Sequence, residues 1–153
     1  PSKGRAGLIS SHKIFKSGTL YVPENEVQQY SIYSNKIVGV PNDVKGITET
    51  RNFILKYNEG KNVFFLDDDF LHGGYFIRSR EKNKTNRVKD EAIYINEIEK
   101  LFEVCEQTGS KIFGFQTIGN NLLNYAFAPF QFNGCCLGSC MGMINDETYY
   151  FDE

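Results

Sequence analysis

A chain of 153 residues with 41% hydrophobic and 24% charged side chains suits one domain that buries a core without disulfides or metals. A net charge of −2 excludes a bulk basic field that would draw the whole protein to nucleic acid. No apolar run approaches the roughly 20 residues that span a bilayer and no signal peptide is visible, so the reading is a cytoplasmic protein with no membrane partner.

Pro1-Ser2-Lys3-Gly4-Arg5-Ala6-Gly7 opens the chain as a cationic, glycine-rich loop. Backbone amides at Gly approach a phosphate closely, and Arg grips it with two hydrogen bonds. The loop matches neither a P-loop nor GxGxxG, and the plain alternative is a frayed terminus. No strand precedes it, which suggests that one is missing. Gly18 to Pro23 reads as a short strand, Glu24 to Tyr30 as a short helix, and Lys36 to Val40 as a second strand stopped by Pro41. Asn42 or Asp43 is placed to cap the next helix, Gly46 to Tyr57, whose apolar stripe is Ile47, Ile54 and Tyr57 with Phe53 beside it. Residues 62–66 form a third strand, apolar on both faces. This strand–helix alternation predicts a mostly parallel sheet flanked by helices, with right-handed crossovers.

Asp67, Asp68 and Asp69 follow that strand at its C-terminal edge, where open α/β sheets bind ligands. Three adjacent carboxylates repel one another and hold their charge cheaply around a cation. Alternation along an extended chain puts Asp67 and Asp69 on one side, within reach of one divalent ion. The bland alternative is an acidic strand end that caps a turn. His72 lies three residues on, as a plain loop residue.

Beyond it, Gly73-Gly74 reads as a turn and Tyr75 to Ile77 as a short strand. Arg78 to Lys89 is polar, aperiodic and basic, and predicts a mobile loop. Glu91 to Gln107 is the clearest helix: Tyr94, Ile98, Leu101 and Cys105 form a stripe widened by Ile95 and Phe102, and Gly109 ends it. Lys111 to Phe115 is a strand, residues 120–132 are an aromatic-rich loop, and residues 133–144 hold one further strand rich in small residues. Three of the four cysteines (Cys135, Cys136, Cys140, with Cys105 apart) lie in that run without a nearby His. They read as reduced, buried small hydrophobes rather than a zinc set.

The order of features resembles the GT-A glycosyltransferases, with a Rossmann-like nucleotide half and a DxD metal motif. The Lys45-Gly46 through Arg51-Asn52 helix is part of that order, and more narrowly Pro1 to Ala6, Val22-Pro23-Glu24, Val40-Pro41, Lys45-Gly46-Ile47 and Leu66 to Asp69 resemble the TET/JBP-associated glycosyltransferases. That group is predicted to glycosylate hydroxymethylated pyrimidines in DNA and is common in phage-type genomes. The resemblance covers residues 1–70, and a DxD in this order is more specific than a DxD alone. It implies one GT-A-like domain over 1–153, with a nucleotide-sugar-binding half at 1–70 and a truncated acceptor half at 71–153. Asp67 and Asp69 would hold Mn²⁺ or Mg²⁺ against the diphosphate of a sugar nucleotide, a UDP-sugar foremost. Asp68 would face the ribose or the sugar. Pro1, Ser2, Lys3, Arg5, Lys45, Gly46 and Arg51 would line the donor pocket, with Glu24 near the base.

Such enzymes often carry a catalytic carboxylate in a late acidic motif. Phe151-Asp152-Glu153 looks like the start of one that the chain then leaves, and Asp146 and Glu147 are further candidates. If DNA is the acceptor, residues 78–89 would hold phosphates, and Tyr125, Phe127, Phe130 and Phe132 would stack on an extruded base. The rival readings are a nucleotidyltransferase of similar fold and a non-catalytic nucleic-acid-binding module.

Overall fold

Alternating short apolar runs and one-sided helices build a mixed α/β architecture. The computed structural model describes residues 4–34, 36–77, 84–115, 136, 139–146 and 150–152. β1 (Leu20–Pro23) and β2 (Ile37–Val40) pair in parallel, in the register Leu20↔Ile37 through Pro23↔Val40. A 3-10 turn (Glu24–Glu26) and α1 (Val27–Tyr30) form the crossover between them. Gly39 permits the crossover to lie close, since a Cβ there would stand 3.1 Å from the Glu24 Cα. Ile9, Val22 and Tyr30 are the buried core of this unit.

α2 (Gly46–Tyr57) keeps the expected bounds but neither the expected cap nor the expected stripe. Lys45 holds the N-cap position without a side-chain cap, and its N–H donates to the Glu49 carboxylate one turn on. Asn42 instead spends its side chain on Glu24. The buried face is Thr50, Ile54 and Leu55, while Ile47 and Tyr57 are 52% and 60% exposed. Asn58 closes the helix, its Nδ2 donating to the Ile54 carbonyl and to the Tyr21 hydroxyl.

β3 (Val63–Leu66) departs from the parallel series. It pairs antiparallel with β7 (Cys140–Met143), which also pairs antiparallel with β6 (Ile112–Gly114), giving the order β3-β7-β6. The sheets are therefore mainly antiparallel, and among the described residues only β1 and β2 run parallel. The strand–helix rhythm that suggested a parallel sheet is local, whereas the partner of β3 lies far along the chain. That partner is admitted by its small residues: a Cβ on Gly142 would stand 2.2 Å from the Phe113 ring. Phe64 meets Phe113 and Phe115 on one face of β3. On the other, Val63 and Phe65 join Ile54, Leu55, Met141 and Met143 in the main core. Asn145 ties the layers, donating to the carbonyls of Leu55 and Asn58 at 2.8 Å each.

β4 (Gly73–Ile77) and β5 (Lys84–Val88) form an antiparallel pair. Gly73 and Gly74 thus lie in a strand rather than a turn, and the second half of the basic run is paired strand rather than mobile loop. Strand pairing, not composition, decides such weakly patterned segments. α3 (Glu91–Thr108) starts at Asp90, whose carboxylate accepts from the Ala92 N–H, and ends at Gly109 in the left-handed region at φ 74°. Its Ile98 and Cys105 are buried, and Tyr94 packs on Phe15 and Phe70. Cys105 and Cys140 are buried free thiols, and Cys135 and the aromatic stretch 125–132 lie outside the described residues. Among the described residues no helix is long and apolar enough to cross a membrane.

Candidate functional site

Two features adjoin α2. The first is a cleft of about 420 Å³ at the C-terminal ends of β1 and β2, against the first turn of α2. Pro23, Asn25, Asn42, Lys45, Gly46 and Thr50 are among its walls. Pro41 stops β2 and Gly46, at φ 80°, turns the chain into the helix, so the cleft follows from one residue of fixed φ and one free to take a positive φ. Glu24 fastens its rim: its Oε1 accepts from the Asn42 N–H at 3.2 Å and from Asn42 Nδ2 at 2.9 Å. Glu24, Lys45 and Gly46 are thus gathered at a helix N-terminus, whose dipole favours anions.

The second is the acidic turn. The Asp67 N–H continues the ladder to the Ser139 carbonyl at 3.0 Å, and the chain then turns, with the Phe70 N–H reaching back to the Asp67 carbonyl at 3.4 Å. The turn ends the strand-like alternation. Asp68 is buried, and one guanidinium spans it and Asp69: Arg5 Nη1 lies 2.9 Å from Asp68 Oδ1 and Nη2 3.6 Å from Asp69 Oδ2. Arg5, expected to face a donor phosphate, is here turned onto carboxylates. The N-terminal loop is anchored there as well. The Asp68 carbonyl accepts from the N–H groups of Ser10 and Ser11, the Tyr30 hydroxyl accepts from the Arg5 N–H, and Glu26 accepts from the Gly4 N–H. Among the described residues Asp68 Oδ2, which is buried, has no hydrogen-bond partner. Pro1, Ser2 and Lys3 lie outside the described residues.

Asp67 faces the helix instead. Its Oδ1 stands 4.0 Å from Arg51 Nη2, and the Arg51 guanidinium lies over the rings of Phe65 and Phe151 at 5.9 and 5.3 Å. Burial pushes the Asp67 carboxyl above its usual range. The Arg51 charge opposes that shift, and the neighbouring Asp69 and Asp68 charges add to it. The Cys140 thiol behind the turn is pushed up to about 11, first by burial and then by Asp67 and Asp69. Excess negative charge in a partly desolvated turn suits a divalent cation. Mg²⁺-type ions take one or two carboxylates and complete their shell from substrate phosphates and water. Asp67 and Asp69 are close enough for the charge of Asp69 to raise the Asp67 carboxyl, though each also faces its own arginine. Among the described residues no group of three or more His, Cys, Asp or Glu forms an all-protein cage.

The proposed base splits by position. Asp146 follows the C-terminal end of β7, and the register Leu66↔Cys140 and Val63↔Met143 sets it at the opposite end of the strand pair from Asp67. There it pairs with Lys111 Nζ at 2.6 Å. Asp152 is exposed beside Phe151, which packs against Arg51 and Phe65. Glu153 and Glu147 lie outside the described residues, and His72 is exposed. The residues that sequence reasoning left without a role are Phe151, Phe65 and Asn52. The only signal was the position of Asn52 next to Arg51 and of Phe151 next to the acidic tail. Compared with protein-family models, curated proteins and solved structures, the chain matches none of them.

Proposed function

We propose that this chain binds a nucleotide-sugar, a UDP-sugar foremost, with Mn²⁺ or Mg²⁺, and transfers the sugar to an acceptor hydroxyl. The observation that carries the reading is the course of α2. Its first turn walls the cleft, and one and a half turns later Arg51 faces Asp67. A nucleoside in the cleft would therefore run its phosphates along the helix toward the acidic turn. Asp67 and Asp69 would hold the cation, which when bound neutralises charge growing on the departing diphosphate. Lys45 and Arg51 add positive charge along the same path. Asn25, Asn42 and Glu24 offer the hydrogen-bonding groups that a base and ribose need. Asp152, exposed beside Phe151, would take the proton of the acceptor hydroxyl, with Glu153 next to it in the chain. The acceptor we propose is a hydroxymethylated pyrimidine in DNA, approached by the basic segment 78–89, where Arg87 and Lys89 are exposed.

The test is incubation with UDP-sugars, nucleoside triphosphates and Mn²⁺, with and without DNA carrying hydroxymethylcytosine. Release of UDP without pyrophosphate is the expected outcome, lost in Asp69→Ala by at least about a hundredfold. Pyrophosphate release would instead identify a nucleotidyltransferase. Salt-dependent DNA binding indifferent to Asp69→Ala, with no turnover, would identify a non-catalytic nucleic-acid-binding module.

A further inference from the structure

The cleft between β1, β2 and α2 is a largely apolar slot in which most polar side chains are already engaged. Val22 and Val40, both buried, lie among its walls with Pro23 and Pro41. The Thr50 hydroxyl donates to the Gly46 carbonyl at 2.7 Å, and the Tyr21 hydroxyl accepts from Asn58 Nδ2 at 2.7 Å. Asn42 differs from these, because its amide is held in one orientation with one end left over. Its backbone N–H and its Nδ2 both donate to a single oxygen, Glu24 Oε1, at 3.2 and 2.9 Å. A carboxylate only accepts, so the amide must offer Glu24 its NH₂ and not its carbonyl. Turned the other way, it would set oxygen against oxygen. Among the described residues the cleft wall takes in Asn42 and not Glu24. The carboxylate therefore grips the amide from outside the cleft. Asn42 Oδ1, on the other arm of the planar amide, is the atom left for a ligand, and among the described residues no group donates to it.

We infer that Asn42 is a specificity-determining residue of this cleft and Glu24 its positioning residue: Asn42 Oδ1 accepts from the N3–H of a bound uracil. Uracil carries a donor at N3 where cytosine carries a lone pair. A cytosine in the same pose sets two acceptors face to face, and discrimination between bases of one size comes from that mismatch. The inference rests on the donor-site reading above and adds to it the device that selects the base.

Titration calorimetry on the full chain with Mn²⁺ compares UDP, CDP and UDP methylated at N3. The readout is the ratio of affinities, which a general loss of packing leaves unchanged. The wild-type protein prefers UDP to each of the other two by about tenfold. Asn42→Ala, at an exposed position, abolishes the preference. Glu24→Gln lowers it, because a Gln amide both donates and accepts and so holds Asn42 in either orientation. A wild-type protein that binds none of the three with Mn²⁺ sinks the donor-site reading and this inference with it. Mn²⁺-dependent binding with no preference for UDP, or a preference that Asn42→Ala leaves intact, overturns the base selection alone. A preference lost in Asn42→Ala but kept in Glu24→Gln overturns the positioning role of Glu24.

Discussion

The three aspartates show how residues of one type diverge within one turn. Asp68 is buried on Arg5, Asp69 is 64% exposed, and Asp67 keeps 38% exposure beside Arg51. Asp67 carries the thermodynamic consequence. Its folded-state carboxyl is raised, first by burial, so the folded protein binds its proton more tightly than the unfolded chain does. Stability from this group is fully present below the ordinary carboxylate range and is lost as pH rises through the raised value. Asp67→Asn should therefore raise the melting temperature at pH 7, modestly because solvent screens a partly exposed group. The gain should vanish in melts run below the ordinary carboxylate range. The same variant should lose Mn²⁺-dependent UDP binding, the pattern expected where a site is kept at the expense of stability. That the carboxylates cluster was legible in the sequence. Which of them meets Arg5 and which meets Arg51 was not, because the turn at Asp67 replaces the alternation of a strand.

Helices were the most legible elements, since their periodicity and stops are written locally. Both long ones end where Asn58 and Gly109 interrupt them. The face that α2 buries was less legible. Ile47, Phe53, Ile54 and Tyr57 outline an apolar stripe, yet the fully buried residue is Leu55, turned toward β3 and β7. Leu55→Ala should cost about 3 kcal/mol in denaturant unfolding, because it removes transfer energy and leaves a cavity. Ile47→Ala, at the cleft mouth, should change stability by no more than about 0.5 kcal/mol. Equal costs at the two positions would mean that the helix is rotated relative to the packing described above.

On the scale of the molecule, the sheet partners diverge most from the linear reading. β7 sits between β3 and β6 and draws Phe65, Met141 and Met143 into one core. β4 and β5 form a separate two-stranded pair, and a hairpin of two strands is marginal without further cover. Amides of β7 should exchange with solvent only through global unfolding, whereas those of β4 and β5 should open at lower free energy. Uniform protection across both, by hydrogen exchange with mass spectrometry, would contradict this division.

The linear order of residues determined the long helices, the first three strands and the chemistry at their ends, but not the β4–β5 pair. It marked the strand stops at Pro23 and Pro41, the glycine that opens α2 and the acidic turn after β3, because each depends on backbone sterics or charge within a few neighbours. It left open the antiparallel partner of β3, the place of Asp146 at the far end of that pair, and the docking of Phe151 on Arg51. These depend on contacts between residues as far apart as Asn52 and Phe151. Whether such contacts form is decided by the free energy of packing the whole chain, which no local pattern encodes.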